Sequence, residues 1–134
     1  MSKEETFNLE LFFSALADRT RLRLLNLMRD GEVCVCFFAE TLITNNPKIS
    51  RHLSYLKRAN LVKGRRDGKW MHYQISEPDD IKAKEVFNRI MDMLEADEEL
   101  RLDRIRLIDV CCAPQTLIKI QGKMAVDSTD KSLK

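Results

Sequence analysis

Residues 45–69, NNPKISRHLSYLKRANLVKGRRDGK, decide the fold of this 134-residue chain. Eight basic side chains stand in this stretch against one acidic side chain, so it carries a charge of +7. The whole chain carries +2, and the rest of it therefore sums to −5. Positive charge concentrated in one segment gives the molecule an oriented field that suits a polyanion. The pattern indicates a nucleic-acid-binding segment, and a solvated basic face is the alternative.

Helical periodicity divides the first half of this stretch into two faces. Pro47 suits the first helical position, with Asn46 or Thr44 as the cap, and the pattern runs to about Arg58. The apolar residues fall within a narrow arc, and the opposite side presents hydrogen-bond donors that suit phosphates or base edges. The apolar face consists of Ile49, Leu53 and Leu56. The candidate DNA-binding residues on this helix are Lys48, Ser50, Arg51, His52, Ser54, Tyr55 and Arg58.

A β-hairpin is predicted directly after this helix. Residues 61–66 and 69–75 are short runs of β-formers, and Asp67-Gly68 between them is a preferred two-residue turn. A helix followed by a basic hairpin predicts a winged helix-turn-helix. Near the hairpin tip, long cationic side chains can reach the phosphate backbone or a minor groove. The candidate DNA-binding residues of this wing are Arg65, Arg66 and Lys69.

The flanking sequence predicts a mainly α domain around the hairpin. Helices are expected over residues 5–17 and 20–29, the second capped by Asp18 and ended by Gly31, and residues 32–42 are expected to form the first helix of the helix-turn-helix. From Pro78 a helical apolar pattern continues past the acidic residues 95–99 until Pro114. We expect one domain over residues 1–114 and a polar, disordered tail over residues 115–134.

The chain is expected to be cytoplasmic, without a membrane partner. No secretory signal is visible, and the longest apolar run is far shorter than a membrane helix. In that compartment the four cysteines are expected to be reduced thiols, which act as ligands, sensors or core residues before they act as disulfides.

The segments FFSALADRTRLRLLNLMRDGEVCVCFFAETL (residues 12–42) and KISRHLSYLKRANLVKGRRDGKWMHYQI (residues 48–75) resemble the ArsR family of dimeric winged-helix repressors. The resemblance covers about residues 7–76. It implies a homodimer joined by terminal helices, which binds operator double-stranded DNA when free of inducer and releases it when a metal or metalloid ion binds. The family's zinc-sensing site uses histidines on a terminal helix, and no histidine follows His72.

The thiols carry the chemistry that this resemblance implies. Cys34-Val35-Cys36 resembles the CVC element of arsenic-, antimony-, cadmium- and lead-responsive members, and thiolates favour soft ions. Arsenic-sensing members place a third cysteine three residues on, where this chain has Ala39. A third ligand must then come from Cys111 or Cys112, in the same or the partner subunit. We therefore expect As(III) or Sb(III) as inducer, no organic cofactor, and a metal site drawn from Cys34, Cys36, Cys111 and Cys112.

A geometric condition accompanies this site. Side chains two residues apart on a helix point about 200° apart, so one ion can take Cys34 and Cys36 only where the first turn is extended. A thiol at a helix N-terminus is also expected to have a lowered pKa.

Several alternatives remain from sequence. The inducer can be Cd(II) or Pb(II), or the thiols can sense oxidants or sulfide on the same scaffold. Either cysteine pair can also be a pair of small buried hydrophobes. An enzyme is not expected, because no CxxC is present and both histidines, His52 and His72, lie in the predicted DNA-binding region.

Overall fold

The computed structural model describes residues 7–112 of the chain, without the side chain of Cys112. Within that range the elements are α1 (Leu9–Leu16), α2 (Arg19–Leu27), β1 (Val33–Cys34), α3 (Cys36–Leu42), α4 (Asn46–Arg58), β2 (Val62–Asp67), β3 (Trp70–Ile75), α5 (Ile81–Leu94) and α6 (Glu98–Cys112). Together α3, α4 and the β2–β3 hairpin form the predicted winged helix-turn-helix. None of the helices in the described range is both long and apolar enough to cross a membrane.

Side-chain caps start the first two helices. The Asn8 side chain accepts a hydrogen bond from the Leu11 N–H at 3.0 Å, so α1 begins later than the predicted residue 5. The Asp18 carboxylate accepts from the Arg21 N–H at 3.0 Å, which confirms Asp18 as the cap of α2. Beyond α2 the turn closes at Gly31, whose φ of +142° disfavours any side chain.

The predicted helix over residues 32–42 is wrong at its start. Val33 and Cys34 form a strand that pairs with the wing, and the Val35 N–H donates to the Met71 carbonyl at 2.8 Å. The backbone groups that a longer helix would use are thus hydrogen-bonded to the hairpin. Helix α3 therefore begins only at Cys36.

The cap of α4 is also displaced from the prediction. Asn45, instead of Asn46 or Thr44, accepts a hydrogen bond from the Lys48 N–H at 2.9 Å. Pro47 still lies in the first turn, where its missing N–H removes no helical hydrogen bond.

The hairpin turn lies one residue later than predicted. Asp67 pairs with Trp70, so Gly68 and Lys69 form the turn, with Gly68 at φ +66°. The turn is shifted because Gly68, the residue with a positive φ, occupies the first of the two turn positions instead of the second. The complete sheet has three antiparallel strands in the order β1-β3-β2.

The apolar pattern after Pro78 forms two helices instead of one continuous helix. The chain leaves α5 at Glu95, and Asp97 begins α6 by accepting a hydrogen bond from the Leu100 N–H at 3.2 Å. Helix α6 folds back onto α2 and α3 of the same chain. The helix end predicted at Pro114 and the tail predicted for residues 115–134 lie outside the described residues.

The core joins α1, α2, α3, α4 and α5, and Leu100 adds α6 to it. The predicted apolar face of α4 is buried, since Ile49, Leu53 and Leu56 are at most 1% exposed. Apolar side chains of the terminal helices remain exposed on the single chain, among them Leu9, Phe13, Met93, Leu102, Ile105 and Ile108.

Candidate thiol site and nucleic-acid interface

Cys34 and Cys36 lie at the junction of β1 and α3. Cys34 has extended strand backbone, Val35 turns the chain, and Cys36 is the first residue of α3. The two Sγ atoms are 3.0 Å apart, so one thiol can donate a hydrogen bond to the other. The extended backbone at Cys34 meets the geometric condition for both sulfurs to face one ion.

The pKa values of the two thiols are shifted in opposite directions. Accepting a hydrogen bond from Cys36 is the main cause that lowers the pKa of Cys34 to about 6, and the nearby His72 contributes to the same shift. The same hydrogen bond raises the pKa of Cys36, which keeps the proton. Sequence predicted the lowered pKa for a thiol at the helix N-terminus, but the residue there is Cys36. The neighbouring thiolate outweighs the helix terminus, and Cys34 is the thiolate at neutral pH.

Cys111 faces the same cavity as Cys34. This cavity of about 330 Å³ lies between the end of α6 and the β1–α3 junction. Its walls are mainly apolar, and the Arg104–Asp30 ion pair also lines it. The apolar lining residues are Leu27, Val33, Phe37, Leu107 and Ile108.

The described side chains do not assemble three metal ligands as they stand. Among them no group of three Cys, His, Asp or Glu side chains is close enough to hold an ion. Cys111 is half-buried, and its Sγ lies 3.8 Å from the Ile108 carbonyl. The structure therefore brings Cys34 and Cys36 together and leaves Cys111 at the wall of the same cavity, while the Cys112 side chain is outside the described part.

A polar network holds α6 in this position. Arg23 of α2 donates two hydrogen bonds to Asp103, at 2.8 and 2.9 Å, and the Asp103 side chain is 1% exposed. The Asn26 side-chain amide donates to the Leu100 carbonyl at 2.8 Å, and Arg106 donates to the Thr41 carbonyl of α3 at 3.1 Å. Sequence reasoning missed these residues, because the Arg23–Asp103 partners are 80 positions apart and no local pattern pairs them.

Most predicted DNA-binding residues of α4 lie on its solvent face. Five of the seven are exposed, opposite the buried face of the helix. These are Lys48, Ser50, Arg51, Ser54 and Arg58.

His52 and Tyr55 are instead held by Arg21 of α2. The His52 side chain is 14% exposed, and its Nδ1 lies 3.2 Å from Arg21 Nη1. Burial lowers the pKa of His52, so the ring is neutral at pH 7. The Tyr55 ring has the Arg21 guanidinium 4.0 Å and the Arg58 guanidinium 4.7 Å from its centroid.

Arg21 also fixes the start of α2 to the end of α1. It donates to the Ala15 carbonyl at 2.9 Å and to the Ser14 carbonyl at 3.0 Å. It thereby joins the first two helices to the predicted recognition helix. Sequence reasoning did not single out Arg21, since its contact with His52 spans 31 positions.

The three predicted wing residues differ in their surroundings. Arg65, Arg66 and Lys69 are all exposed. Arg65 is bound to Glu32, with Nε to Oε2 at 2.9 Å and Nη2 to Oε1 at 2.7 Å. The guanidinium of Arg65 holds the pKa of the Glu32 carboxyl below its ordinary value.

Comparison with known proteins agrees with this geometry. The family described as "Bacterial regulatory protein, arsR family" matches residues 18–63. An arsenic resistance transcriptional regulator from Pseudomonas putida is 36% identical over 108 residues, which cover 79% of this chain and 82% of that protein. The arsenical resistance operon repressor of Escherichia coli is 46% identical over 65 residues, covering 48% of this chain and 56% of that protein. Relatives named for mercury and cadmium resistance also match.

A solved structure shows the same architecture. The homodimeric winged helix-turn-helix DNA-binding domain of a possible ArsR-family regulator from Mycobacterium bovis is 30% identical, with a TM-score of 0.53. The match covers 66% of this chain and 83% of that domain. On this sequence identity, its extent and the winged helix-turn-helix, the chain belongs to the ArsR family of DNA-binding transcriptional repressors.

Proposed function

We propose that this repressor binds operator DNA as a homodimer and releases it when As(III) or Sb(III) binds Cys34 and Cys36, with Cys111 or Cys112 as a further ligand. The observation that carries the proposal is the 3.0 Å separation of the Cys34 and Cys36 sulfurs at the strand–helix junction. Cys111, on the cavity that Cys34 also lines, supports the further ligand. Thiolates are the ligands that soft, thiophilic ions prefer.

The short sulfur separation supports one class of ion over another. A linear two-coordinate ion needs its sulfurs on opposite sides, which at about 2.3 Å per metal–sulfur bond is roughly 4.6 Å. Cys34 and Cys36 lie closer together than that, which favours an ion that takes both thiolates on the same side. This favours As(III) or Sb(III), and Cd(II) and Pb(II) are the alternatives that the same thiols allow.

The chain's own groups prepare the site in two ways. Cys34 is already the thiolate, so it can take an ion first without losing a proton. Once Cys34 donates a lone pair to an ion, it no longer accepts the hydrogen bond from Cys36. The Cys36 thiol can then release its proton to solvent and bind the ion as a thiolate. Both residues adjoin the DNA-binding unit, since Cys34 pairs with β3 of the wing and Cys36 begins α3, which leads into α4.

The DNA contacts follow from the exposed face of α4 and from the wing. Arg51 and Lys48 on α4 suit base edges or phosphates, and Arg66 and Lys69 suit phosphates. In a two-fold dimer the two recognition helices enter major grooves on the same side of the DNA, so half-sites lie about one helical turn, or a multiple of it, apart. The exposed apolar side chains of α1, α5 and α6 and the homodimeric neighbour support this assembly.

Native mass spectrometry of the reduced protein tests the ion and its ligands. We expect one added arsenic per subunit with sodium arsenite, and loss of that adduct in Cys34→Ser and in Cys36→Ser. Serine matches the size of cysteine but is a poor ligand for a soft ion. The double variant Cys111→Ser/Cys112→Ser should bind arsenic markedly more weakly. Cadmium chloride and lead acetate run in parallel rank the ions, and unchanged arsenic binding in all three variants contradicts the proposal.

A second candidate, oxidation of the same thiols, is favoured by the low pKa of Cys34. A thiolate at pH 7 reacts faster with oxidants than a thiol does. Thiol titration after exposure to air, beside a DNA-binding assay without added ion, separates the two. Loss of the Cys34 and Cys36 thiols together with loss of DNA binding supports redox sensing, whereas four intact thiols and full DNA binding support the ion.

A further inference from the structure

The ion pair between Glu32 and Arg65 joins the thiol segment to the wing. Glu32 immediately precedes β1, and Arg65 lies in β2 at the far side of the sheet. The contact is bidentate, with nitrogen–oxygen distances of 2.7 and 2.9 Å. It spans the middle strand β3, so the two outer strands are linked by side chains as well as by the sheet.

The strand register places this pair in line with Cys34. Cys34 is the direct partner of His72, and His72 is the direct partner of Arg65. Direct cross-strand partners share a face of a sheet, and the Glu32 carboxylate reaches that face because it binds Arg65. The thiolate, the imidazole, the guanidinium and the carboxylate therefore lie on one surface of the small sheet.

Glu32 occupies the part of Arg65 that DNA would use. The guanidinium presents Nε and Nη2 to the carboxylate, which is the edge that pairs bidentately with phosphate. The remaining Nη1 faces Asp67, whose Oδ2 is 3.9 Å away. The positive charge of Arg65 is therefore shared between two carboxylates. A phosphate must displace Glu32 to bind the same edge of the guanidinium.

We propose that Glu32 competes with DNA phosphate for Arg65, and that a ligand at Cys34 stabilises the Glu32–Arg65 ion pair. We call this ion pair the latch, which is closed when the pair is formed and open when it is broken. A ligand at Cys34 fixes the end of β1 in its paired position, and Glu32 then stays over Arg65. DNA needs the open latch, so the two binding events oppose each other, and each weakens the other by the same factor. The ligand half of this proposal rests on the proposed function, whereas the competition for Arg65 does not.

The competition is tested without any ion, on a fluorescent mixed-sequence DNA duplex. Glu32→Gln should bind this DNA about threefold more tightly, an effect of the size expected for releasing one exposed ion pair. The slope of log affinity against log salt should steepen by about 0.9, the value for one additional phosphate contact. Glu77→Gln is the matched control, since it removes the same charge from an exposed glutamate that pairs with Lys84 outside the wing. Thermal melts check that the variants stay folded.

A double-mutant cycle identifies Arg65 as the residue that is released. Arg65→Ala should weaken DNA binding more in the Glu32→Gln background than in the parent. Arg66→Ala, on the neighbouring position of the strand, should have the same effect in both backgrounds. Equal effects of Arg65→Ala in both backgrounds, or weaker DNA binding by Glu32→Gln, overturn the latch.

The linkage to the thiols is tested by repeating the titrations with sodium arsenite. The ratio of DNA affinities without and with arsenite should be smaller in Glu32→Gln than in the parent. An equal ratio in the two proteins overturns the linkage between Glu32 and Cys34. If arsenite releases no DNA from the parent, the proposed function fails, while the results obtained without ion still decide the competition.

Discussion

Helices α4 and α6 are similar in length but opposite in pattern. In α4 the apolar Ile49, Leu53 and Leu56 are buried and the charged residues face solvent. In α6 the buried set includes Asp103, while Leu102, Ile105 and Ile108 are 43%, 47% and 62% exposed. Burial of apolar side chains therefore holds α4 in place. Helix α6 is held in large part by polar contacts, from Arg23 of α2 to Asp103 and from Arg106 to the Thr41 carbonyl of α3.

The difference indicates two kinds of task. A helix that is stabilised from its inner face is free to present any outer face to DNA, as we propose for α4. A helix that is held by ion pairs and shows apolar residues outward suits a protein partner on that side. The thiol pair lies between the two, because α3, which begins at Cys36, packs against both α4 and α6.

The largest effect is expected where α4 depends on burial. Leu53→Ala should lower the free energy of unfolding by about 2–5 kcal/mol, because it removes a fully buried side chain and leaves a cavity. Urea unfolding measures this, with Ser54→Ala on the exposed face as the control. A loss below about 1 kcal/mol would show that the inner face of α4 is not what stabilises it.

A slightly smaller effect is expected where α6 depends on its buried carboxylate. Asp103→Ala should cost about 2–3 kcal/mol, less than the loss of a fully buried pair, because the Arg23 side chain left behind is 19% exposed. The exposed Asp109→Ala is the control in the same urea titration. The double variant Arg23→Ala/Asp103→Ala should lose less than the sum of the single variants, and strict additivity would contradict the pairing.

The acidity of the thiol between these helices gives a pH-dependent prediction. Since Cys34 has a pKa of about 6, its alkylation by iodoacetamide should be fast above that pH and slow below it. Cys36→Ala removes the hydrogen bond that stabilises the thiolate, so the midpoint should move up toward the ordinary cysteine value of about 8.5. Mass spectrometry of the modified peptide follows the rate, and an unmoved midpoint would assign the low pKa to another cause.

The smallest effect is expected on the outer face of α4. Arg51→Ala should weaken operator binding by roughly three- to tenfold without changing stability, because its side chain is exposed on the face that we propose contacts DNA. Fluorescence anisotropy measures the affinity. Parent-like binding would mean that α4 docks on a different face.

Sequence alone predicted α4 well because its information is local. The apolar spacing of α4, the proline in its first turn and the turn at Gly68 can each be recognised from neighbouring residues. The errors in this region were shifts of one position, in the cap of α4 and in the hairpin turn. The strand at Val33–Cys34 was missed because its hydrogen bonds come from β3, about 40 positions later. The fold-back of α6 was missed for the same reason, since arginines in α2 select which side of α6 is buried.

The sequence named candidate residues for the thiol site but could not predict their arrangement. The CVC spacing singled out Cys34 and Cys36 as candidate ligands, and helix geometry showed that one ion can take both only where the turn is extended. Which thiol carries the negative charge depends on the contact between the two sulfurs. The Glu32–Arg65 and Arg21–His52 contacts each span more than 30 positions, beyond any local pattern.

Operator affinity with and without sodium arsenite, in the parent and in Cys34→Ser, tests the proposed thiol switch most directly. We predict that arsenite weakens operator binding by the parent about a hundredfold, a coupling of about 2.7 kcal/mol, through the thiols and not through the DNA-binding face. Cys34→Ser should bind the operator like the parent and should not respond to arsenite. A Cys34→Ser protein that arsenite still releases from DNA would contradict the assignment of the inducer site to the Cys34–Cys36 pair.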